Sequence, residues 1–362
     1  MAFEATKREW GELYAFFRLL ADGYVYAGTP EGKKNEAQRL PVAMVQREEH
    51  DGTRSYIIEN EQTVHISGAR IDKRVPREDF AVVAQLVLAA IKESRENDVT
   101  SPDGVEEFLD EVAIYDLEAK TDDRTDVYVA FYHRDAPLVG FCVRSRLGMM
   151  FPLMDGGRTA NFKFEQTGVR FATPTVNKIN AFGTEDDVAG RMMMIERLGG
   201  VLKYNDVADK IFRSNLCMID LHFPRMLGEM LRVMHLDSIT KVSELTEVIK
   251  QVNPLKIKDE LITKHGYYEY KMKQFLVALA LGMRPAKLFN GTDSAISGFL
   301  MVDGRGEVVC YQKSDRQTFA DFLFLNSRFE KGSTEKDKYG YLERENGAYY
   351  FKLNLKIGLL KR

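Results

Sequence analysis

Cysteine and histidine are scarce in this 362-residue sequence, and their positions argue against two kinds of site. The three cysteines, Cys142, Cys217 and Cys310, are widely spaced and lie in apolar runs. We therefore predict buried free thiols in a reducing compartment. The six histidines are scattered and the sequence has no CxxC pair, so neither a zinc site nor an HNH-type site is expected.

Long apolar runs and an excess of charge are also lacking. No run approaches the roughly 20 apolar residues that cross a bilayer, and the first ten residues lack the apolar core of a signal peptide. We therefore predict a cytoplasmic protein. The formal net charge of -3 argues against a protein that coats nucleic acid through bulk charge. No GxxxxGK[ST] sequence occurs, so an ATP-driven function is not supported.

What the sequence does contain is an ordinary globular composition, with 44% hydrophobic and 29% charged residues. Its most informative stretch is residues 124–148, which predicts two short strands and a turn. Val127–Phe131 is rich in β-branched and aromatic residues, and Val139–Val143 is similar. The Asp135-Ala136-Pro137 sequence between them is typical of a turn. An antiparallel hairpin is therefore predicted.

The register of this hairpin decides which polar side chains meet. A turn centred near Asp135 would set Asp126 opposite Arg144 and Tyr128 opposite Cys142. Directly opposed residues point to the same face of a sheet, so Asp126, Cys142 and Arg144 would share one surface. A carboxylate facing a cation in this way is the arrangement of PD-(D/E)XK nucleases. The alternative is a surface ion pair across two strands, which contributes roughly 0.2–1 kcal/mol.

A helix is predicted over residues 7–22, because apolar side chains such as Trp10 and Leu13 recur at helical spacing. Glu9 and Glu12 lie on one edge of that helix. Acids near a helix start are favoured by the backbone dipole, by roughly 0.3–1 kcal/mol, so they need no functional explanation. The choice between a functional and a purely helical role stays open at this point.

The sequence around the second strand resembles the HpaII family of type II restriction endonucleases. LVGFCVRSRLG, followed by GGRTANFKFEQTG at 156–168, is similar to the family pattern GFSIKSxLG with its small-residue TNF segment. Further segments resemble family segments in family order: 8–28, 117–129, 267–291, 297–330 and 351–360. The resemblance therefore extends from one end of the chain to the other.

The resemblance implies an α/β fold in which a PD-(D/E)XK nuclease-like mixed β-sheet is flanked by helices. We predict a catalytic core at residues 1–184, a helical region at 185–290, and an α+β C-terminal region at 291–362. The helical region follows from long apolar-periodic runs, and the last region from a hairpin signal around Asp303-Gly304.

The resemblance also implies the catalytic residues and a Mg²⁺ cofactor. Asp126 would be the principal metal ligand, with Glu12 as the second carboxylate and Glu9 behind it. Arg144 would stabilise the charge on the attacked phosphate. Cys142 stands where the superfamily usually has an acid, and its thiol is a poor ligand for magnesium, which prefers oxygen. The family has a lysine at the position of Arg144, and an arginine cannot shuttle a proton.

A polar segment after the hairpin, residues 148–171, is the predicted DNA-facing loop. Arginine, asparagine and lysine side chains bind phosphates and base edges. The alternative for this segment is a capped surface turn. The residues that we predict to contact DNA are Lys120, Arg146, Arg158, Asn161 and Lys163.

The same resemblance implies the target and the partners. We expect double-stranded DNA with a short palindrome, CCGG, as the substrate. A two-fold target is matched by a two-fold protein, so a homodimer is predicted. A DNA methyltransferase of the same system would protect the host without binding this chain. Two alternatives remain: a catalytically degenerate DNA-binding protein of the same fold, and a structural or interaction protein without affinity for DNA.

Overall fold

The computed structural model describes residues 4–119, 125–292 and 294–360, and it is a mixed α/β structure. Lys120, one of the predicted DNA contacts, lies outside these residues. The α-helices are α1 Lys7–Asp22, α2 Arg77–Glu93, α3 Val105–Glu111, α4 Thr173–Asn180, α5 Val188–Arg197, α6 Lys210–Cys217, α7 Phe223–Asp237, α8 Val242–Val252, α9 Asp259–Thr263, α10 Tyr267–Ala280, α11 Arg316–Asn326 and α12 Thr334–Asp337. Within the described ranges, no helix combines the length and the apolar character needed to cross a membrane.

The strands follow the same chain order. They are β1 Glu4–Thr6, β2 Tyr24–Gly28, β3 Lys34–Glu49, β4 Gly52–Ile58, β5 Thr63–Gly68, β6 Ile71–Pro76, β7 Asp98–Thr100, β8 Val127–Phe131, β9 Val139–Ser145, β10 Met154–Asp155, β11 Asn161–Gly168, β12 Gly200–Val207, β13 Ile296–Val302, β14 Val308–Gln312, β15 Ser327–Glu330, β16 Leu342–Glu345, β17 Ala348–Asn354 and β18 Lys356–Leu359.

The described chain divides into two compact units, and neither unit is continuous in sequence. Unit 1 consists of the chain up to Phe151 and a second segment that ends at Phe322. Unit 2 consists of Pro152–Thr292 and Leu323–Leu360. The predicted boundary at residue 290 lies close to Thr292, where the first segment of unit 2 ends. The predicted boundary at residue 184 lies inside unit 2.

Unit 1 is built on one large mixed sheet. Among the described strands its order is β2-β14-β13-β9-β8-β3-β4-β5-β6, and β2 also pairs with β3. The β13–β9 and β14–β2 pairs are parallel, and the other pairs in that order are antiparallel. Two of the strands, β13 and β14, come from the returning segment of the chain. The hairpin of β8 and β9 therefore lies in the interior of the sheet.

The predicted hairpin is confirmed, but its register is wrong. Tyr128 lies opposite Gly140, not opposite Cys142. Asp126 precedes the first paired residue of β8, so it does not oppose Arg144. Cys142 and Arg144 still share one face, because they are two residues apart in β9.

The register error comes from the position of the turn. Tyr132 adopts the left-handed conformation with a φ of 66°, which is uncommon outside glycine. The N–H of Ala136 then donates to the carbonyl of His133 at 3.0 Å. The turn therefore begins directly after β8 and centres before Asp135.

The predicted helix at residues 7–22 is α1, and its ends are set by local hydrogen bonds. Thr6 is the N-cap and forms a reciprocal capping box with Glu9. At the other end, Gly23 takes a φ of 67°, and its N–H donates to the carbonyl of Leu19 at 3.0 Å. Glu9 is therefore used to begin the helix.

Helix α1 packs directly on the sheet of unit 1. Trp10, Leu13 and Phe17 are fully buried in the core of this unit. Gly11 makes the closest approach, because a Cβ atom at this position would lie 2.7 Å from both Cβ and Oγ of Ser145 in β9. The absence of a side chain at Gly11 therefore allows α1 to lie against the strand that carries Arg144.

Unit 2 contains a four-stranded sheet of described strands in the order β12-β11-β17-β16, together with a smaller sheet of β10, β18 and β15. Helices α5, α6 and α7 pack on β12, and α7 also packs on β17. The predicted DNA-facing loop at residues 148–171 is a loop only in part, because it contains β10, a short 3₁₀ helix at Gly157–Ala160 and β11. The loop prediction is wrong for β11, which pairs with strands on both of its sides.

We predict that Gly11→Ala destabilises the protein by about 1–3 kcal/mol in denaturant unfolding. The added methyl group overpacks the contact with Ser145 and outweighs the roughly 1 kcal/mol that alanine gains in a helix. Gly304→Ala is the matched control, since its Cβ would meet nothing within 4 Å, and we expect a change within about 0.5 kcal/mol. Equal stability of Gly11→Ala and the parent would contradict the close packing of α1.

Candidate active site

Three of the predicted catalytic residues lie on adjoining elements of unit 1. Glu12 is in α1, Asp126 directly precedes β8, and Arg144 is in β9. Their charges interact: the charge of Asp126 raises the pKa of Glu12, while the charge of Arg144 lowers the pKa of both carboxyl groups. The structure therefore brings the two acids and the cation into one electrostatic cluster.

Glu12 is a buried carboxyl group with one strong cationic neighbour. It is 8% exposed, and Nη1 of Arg8 donates to its Oε1 at 2.8 Å. Burial raises the pKa of Glu12 to about 8, and the charge of Asp126 adds to the rise. The charges of Arg8, Arg47 and Arg144 oppose it. At neutral pH and without a further cation, this side chain is therefore largely protonated.

Asp126 is held in place by the backbone of β9. Its N–H donates to the carbonyl of Phe141 at 2.8 Å, and its Oδ2 accepts a hydrogen bond from the N–H of Val143 at 2.6 Å. Burial raises the pKa of Asp126, and the bond from Val143 and the charge of Arg144 counteract this effect. The two hydrogen bonds to β9 therefore fix the carboxyl group of Asp126 at the start of β8.

Arg144 lies over an aromatic ring of the neighbouring strand. Its Cζ atom is 5.2 Å from the ring centroid of Phe299 in β13, a cation–π distance. Its Nε is buried and has no hydrogen-bond partner within the described ranges. Cys142, two residues before it, is 5% exposed. Arg144 is therefore a positioned cation, whereas Cys142 packs in the sheet.

Arg8 is a site residue that the sequence reasoning missed. Besides its hydrogen bond to Glu12, its Nη2 contacts the carboxylate of Glu118. Its guanidinium lies 4.4 Å from the ring centroid of Phe151. The spacing of four residues between Arg8 and Glu12 on a predicted helix could have indicated this pair.

Arg47 is a second missed residue, and it comes from the interior of β3. It is 3% exposed. Its Nε lies 3.1 Å from Oε1 of Glu49, and its Nη2 donates to the carbonyls of Asp116 and Leu117. Its charge lowers the pKa of the two site carboxyl groups. No local sequence pattern indicates such a contact between distant segments.

The donor set at this cluster fits a magnesium ion. Glu12 and Asp126 supply carboxylate oxygens, and burial makes the ionised form of each costly without a nearby cation. The described residues contain no group of three Asp, Glu, His or Cys side chains that could hold a metal. Magnesium keeps several waters and is usually bound through one or two carboxylates, so two acids are sufficient.

The predicted DNA-contacting residues within the described ranges belong to both units. Arg146 belongs to unit 1, and its N–H donates to the carbonyl of Val302 at 2.9 Å. Arg158 belongs to unit 2; it is exposed, and its Nε donates to the carbonyl of Lys336 at 3.0 Å. The exposed side chain of Arg158 can change partners, whereas Nε and Nη2 of Arg146 are buried.

Asn161 and Lys163 are engaged inside unit 2. Asn161 is 3% exposed, and its Nδ2 donates to the carbonyl of Asp337 at 2.7 Å. It would have to leave that carbonyl to reach a base. Lys163 forms an ion pair with Glu345, and its Nζ lies 4.4 Å from the ring centroid of Tyr350. Both residues hold β11 to neighbouring segments.

We predict that Glu12→Gln changes how stability depends on pH in the absence of divalent metal. The folded pKa of Glu12 exceeds its unfolded value, so the parent loses stability as pH rises from about 4.5 through 8. The glutamine variant lacks this loss. Its stability relative to the parent should therefore increase over that range, by on the order of a few kcal/mol in urea unfolding.

The control for this measurement is Glu61→Gln, which changes an exposed carboxylate between β4 and β5. Its stability relative to the parent should stay nearly constant with pH. A Glu12→Gln variant that gains nothing over the parent at high pH would contradict the burial of an ionisable Glu12.

Comparison with known proteins shows the family of this chain. The family model of the HpaII restriction endonuclease matches residues 6–359. The type II restriction enzyme HpaII of Haemophilus parainfluenzae is 30% identical over 362 residues, which cover 99% of each chain. No solved structure matches. Since both matches extend over nearly the whole sequence, the chain belongs to the HpaII restriction endonuclease family.

Proposed function

We propose that this protein is a Mg²⁺-dependent type II site-specific deoxyribonuclease with a PD-(D/E)XK-like core. It would hydrolyse phosphodiesters in both strands of DNA at a short palindrome. The observation that carries the proposal is the cluster of Glu12, Asp126 and Arg144 in a member of a restriction endonuclease family. Two buried acids beside a fixed cation are suited to phosphodiester hydrolysis.

Glu12 and Asp126 would hold the magnesium ion. When bound, the ion polarises the phosphate and lowers the pKa of the attacking water. The role of the protein is to keep the two carboxylates together in a buried place, where Val143 fixes Asp126 and Arg8 orients Glu12. The charges of Arg8 and Arg47 reduce the repulsion between the two acids before the metal arrives.

Arg144 would bind the attacked phosphate and stabilise the additional negative charge of the transition state. Its guanidinium stays charged at any accessible pH and can bind two phosphate oxygens. It does not accept a proton from water, so the lysine of the family pattern is replaced here by a charge-stabilising group alone. Cys142, which is buried on the same face, takes no part in the chemistry.

The target and the partners follow from the family. We propose CCGG as the recognition sequence and a homodimer as the active form, since a two-fold protein matches a two-fold site. A DNA methyltransferase of the same system would protect the host, and both enzymes would act in the cytoplasm. The proposed DNA contacts are Lys120, Arg146, Arg158, Asn161 and Lys163. Among those within the described ranges, only Arg158 has an exposed side chain.

A catalytically degenerate DNA-binding protein is the second candidate. One observation favours it: an arginine replaces the lysine of the family pattern. Such a protein would bind its site without magnesium and leave both strands intact.

The decisive test is incubation of the purified protein with unmethylated plasmid DNA in Mg²⁺. We expect discrete fragments whose ends map to CCGG. Asp126→Asn, which keeps an oxygen for the N–H of Val143 but loses the charge, should leave the plasmid intact. Arg144→Met should lower the single-turnover rate by about 10²–10³-fold, because it removes the cation from the phosphate.

Arg144→Lys is the matched control, since it keeps the charge, and we expect its rate to stay within about tenfold of the parent. Binding without cleavage by the parent would favour the degenerate protein. Discrete cuts at another sequence would contradict CCGG as the recognition sequence and leave the proposed nuclease activity standing.

A second prediction needs no DNA. We expect millimolar Mg²⁺ to raise the melting temperature of the parent, because an ion that binds only the folded state stabilises it. Glu12→Gln and Asp126→Asn should lose most of this shift, whereas Glu61→Gln should keep it. Equal shifts in all four proteins would exclude Glu12 and Asp126 as the metal ligands.

A further inference from the structure

A wide groove lies in unit 2, away in sequence from the proposed catalytic residues. Its volume is about 610 Å³. The walls are the end of β11 with the segment that follows it, and the tip of the β16–β17 hairpin. Its lining includes Gln166, Arg170, Thr173, Arg344 and Tyr349.

The charge of this groove has one sign. Arg170 and Arg344 line it, and none of the described residues that line it is acidic. Both arginines are exposed, and within the described part of the chain neither forms an ion pair. The rest of the lining offers hydroxyl, amide and aromatic groups. The groove is therefore a cationic surface with hydrogen-bond donors.

The neighbouring cations of the same sheet behave differently. Lys163 and Lys352 both contact Glu345, and Nζ of Lys352 lies 2.5 Å from Oε2 of Glu343. These lysines are neutralised within the sheet. Arg170 and Arg344 are left with their charge facing solvent, in a chain whose formal net charge is -3.

An extended polyanion fits these features better than a small anion. The groove is open, and its two arginines come from separate segments of the chain, so they are suited to successive charges. Arginine binds phosphate oxygens in pairs, and polar side chains add contacts to the sugar–phosphate backbone. The first turn of α4 lines the same groove, and its dipole has the same sign.

We infer that this groove binds the sugar–phosphate backbone of the DNA duplex, with Arg170 and Arg344 as the phosphate contacts. The inference rests on the proposed function, because it takes the substrate to be DNA. Unit 2 would then supply affinity, while the cluster of Glu12, Asp126 and Arg144 in unit 1 supplies the chemistry. Base reading is not assigned to this groove.

The test is binding of a fluorescently labelled CCGG duplex to the full-length protein in Ca²⁺, measured over a range of salt concentrations. The parent is compared with the double variant Arg170→Gln/Arg344→Gln. Each lost phosphate contact should reduce the slope of log K against log[salt] by about 0.9. We therefore expect the slope to fall by about 2 and the affinity by about 10- to 100-fold.

Two further double variants serve as controls. Arg170→Lys/Arg344→Lys keeps both charges and should retain most of the parent's slope. Arg197→Gln/Arg225→Gln removes two exposed arginines of the same unit that do not line the groove, and it should bind as the parent does.

The outcomes separate the groove from the proposed function. A parent that cuts DNA, with an unchanged slope in the glutamine variant, would overturn the groove and leave the nuclease proposal standing. An equal loss of slope and affinity in the Arg197→Gln/Arg225→Gln variant would also contradict the groove as the binding site, because the effect would then come from the net charge of the protein. A loss confined to the groove variant supports the inference, even if the parent proves unable to cut.

Discussion

The close contact between α1 and β9 is the constraint on which the candidate active site depends. Gly11 has no side chain to hold the helix away from Ser145, so the next residue, Glu12, is carried into the core of unit 1. The same contact fixes the distance from the helix to the strand of Arg144. The buried apolar side chains of Trp10 and Phe17 stabilise this position of the helix. A flexible loop would not hold Glu12 in one place.

Burial makes the ionised forms of Glu12 and Asp126 costly, and nearby arginines partly offset this cost. Arg8, Arg47 and Arg144 each lower the pKa of Glu12 and of Asp126 against the effect of burial. Arginine suits this role because it keeps its charge in a buried place. The three cations reach the acids from a helix, a long strand and the hairpin. The arginines therefore lower the cost of ionising the two acids without removing it, since the pKa of Glu12 is still about 8.

Much of the fold could be predicted from the sequence, because α1, α2 and the β8–β9 hairpin have strong local patterns. The register of the hairpin could not, since it depends on a left-handed Tyr132, and tyrosine gives no sign of that conformation. Asn161 shows a related difficulty. Its residue type suggests base reading, whereas its burial against Asp337 arises from segments far apart in sequence. Arg47 reaches the site in the same long-range way.

The ring beneath Arg144 belongs to β13, which enters the sheet between β9 and β14. That strand is encoded roughly 150 residues after β9, and a ribosome adding 5–20 residues per second would need roughly 8 to 30 s to reach it. Until then, β9 has an open edge and Arg144 lacks its aromatic partner. A nascent chain therefore cannot form the β9–β13 pair or the contact between Arg144 and Phe299 until β13 has been synthesised.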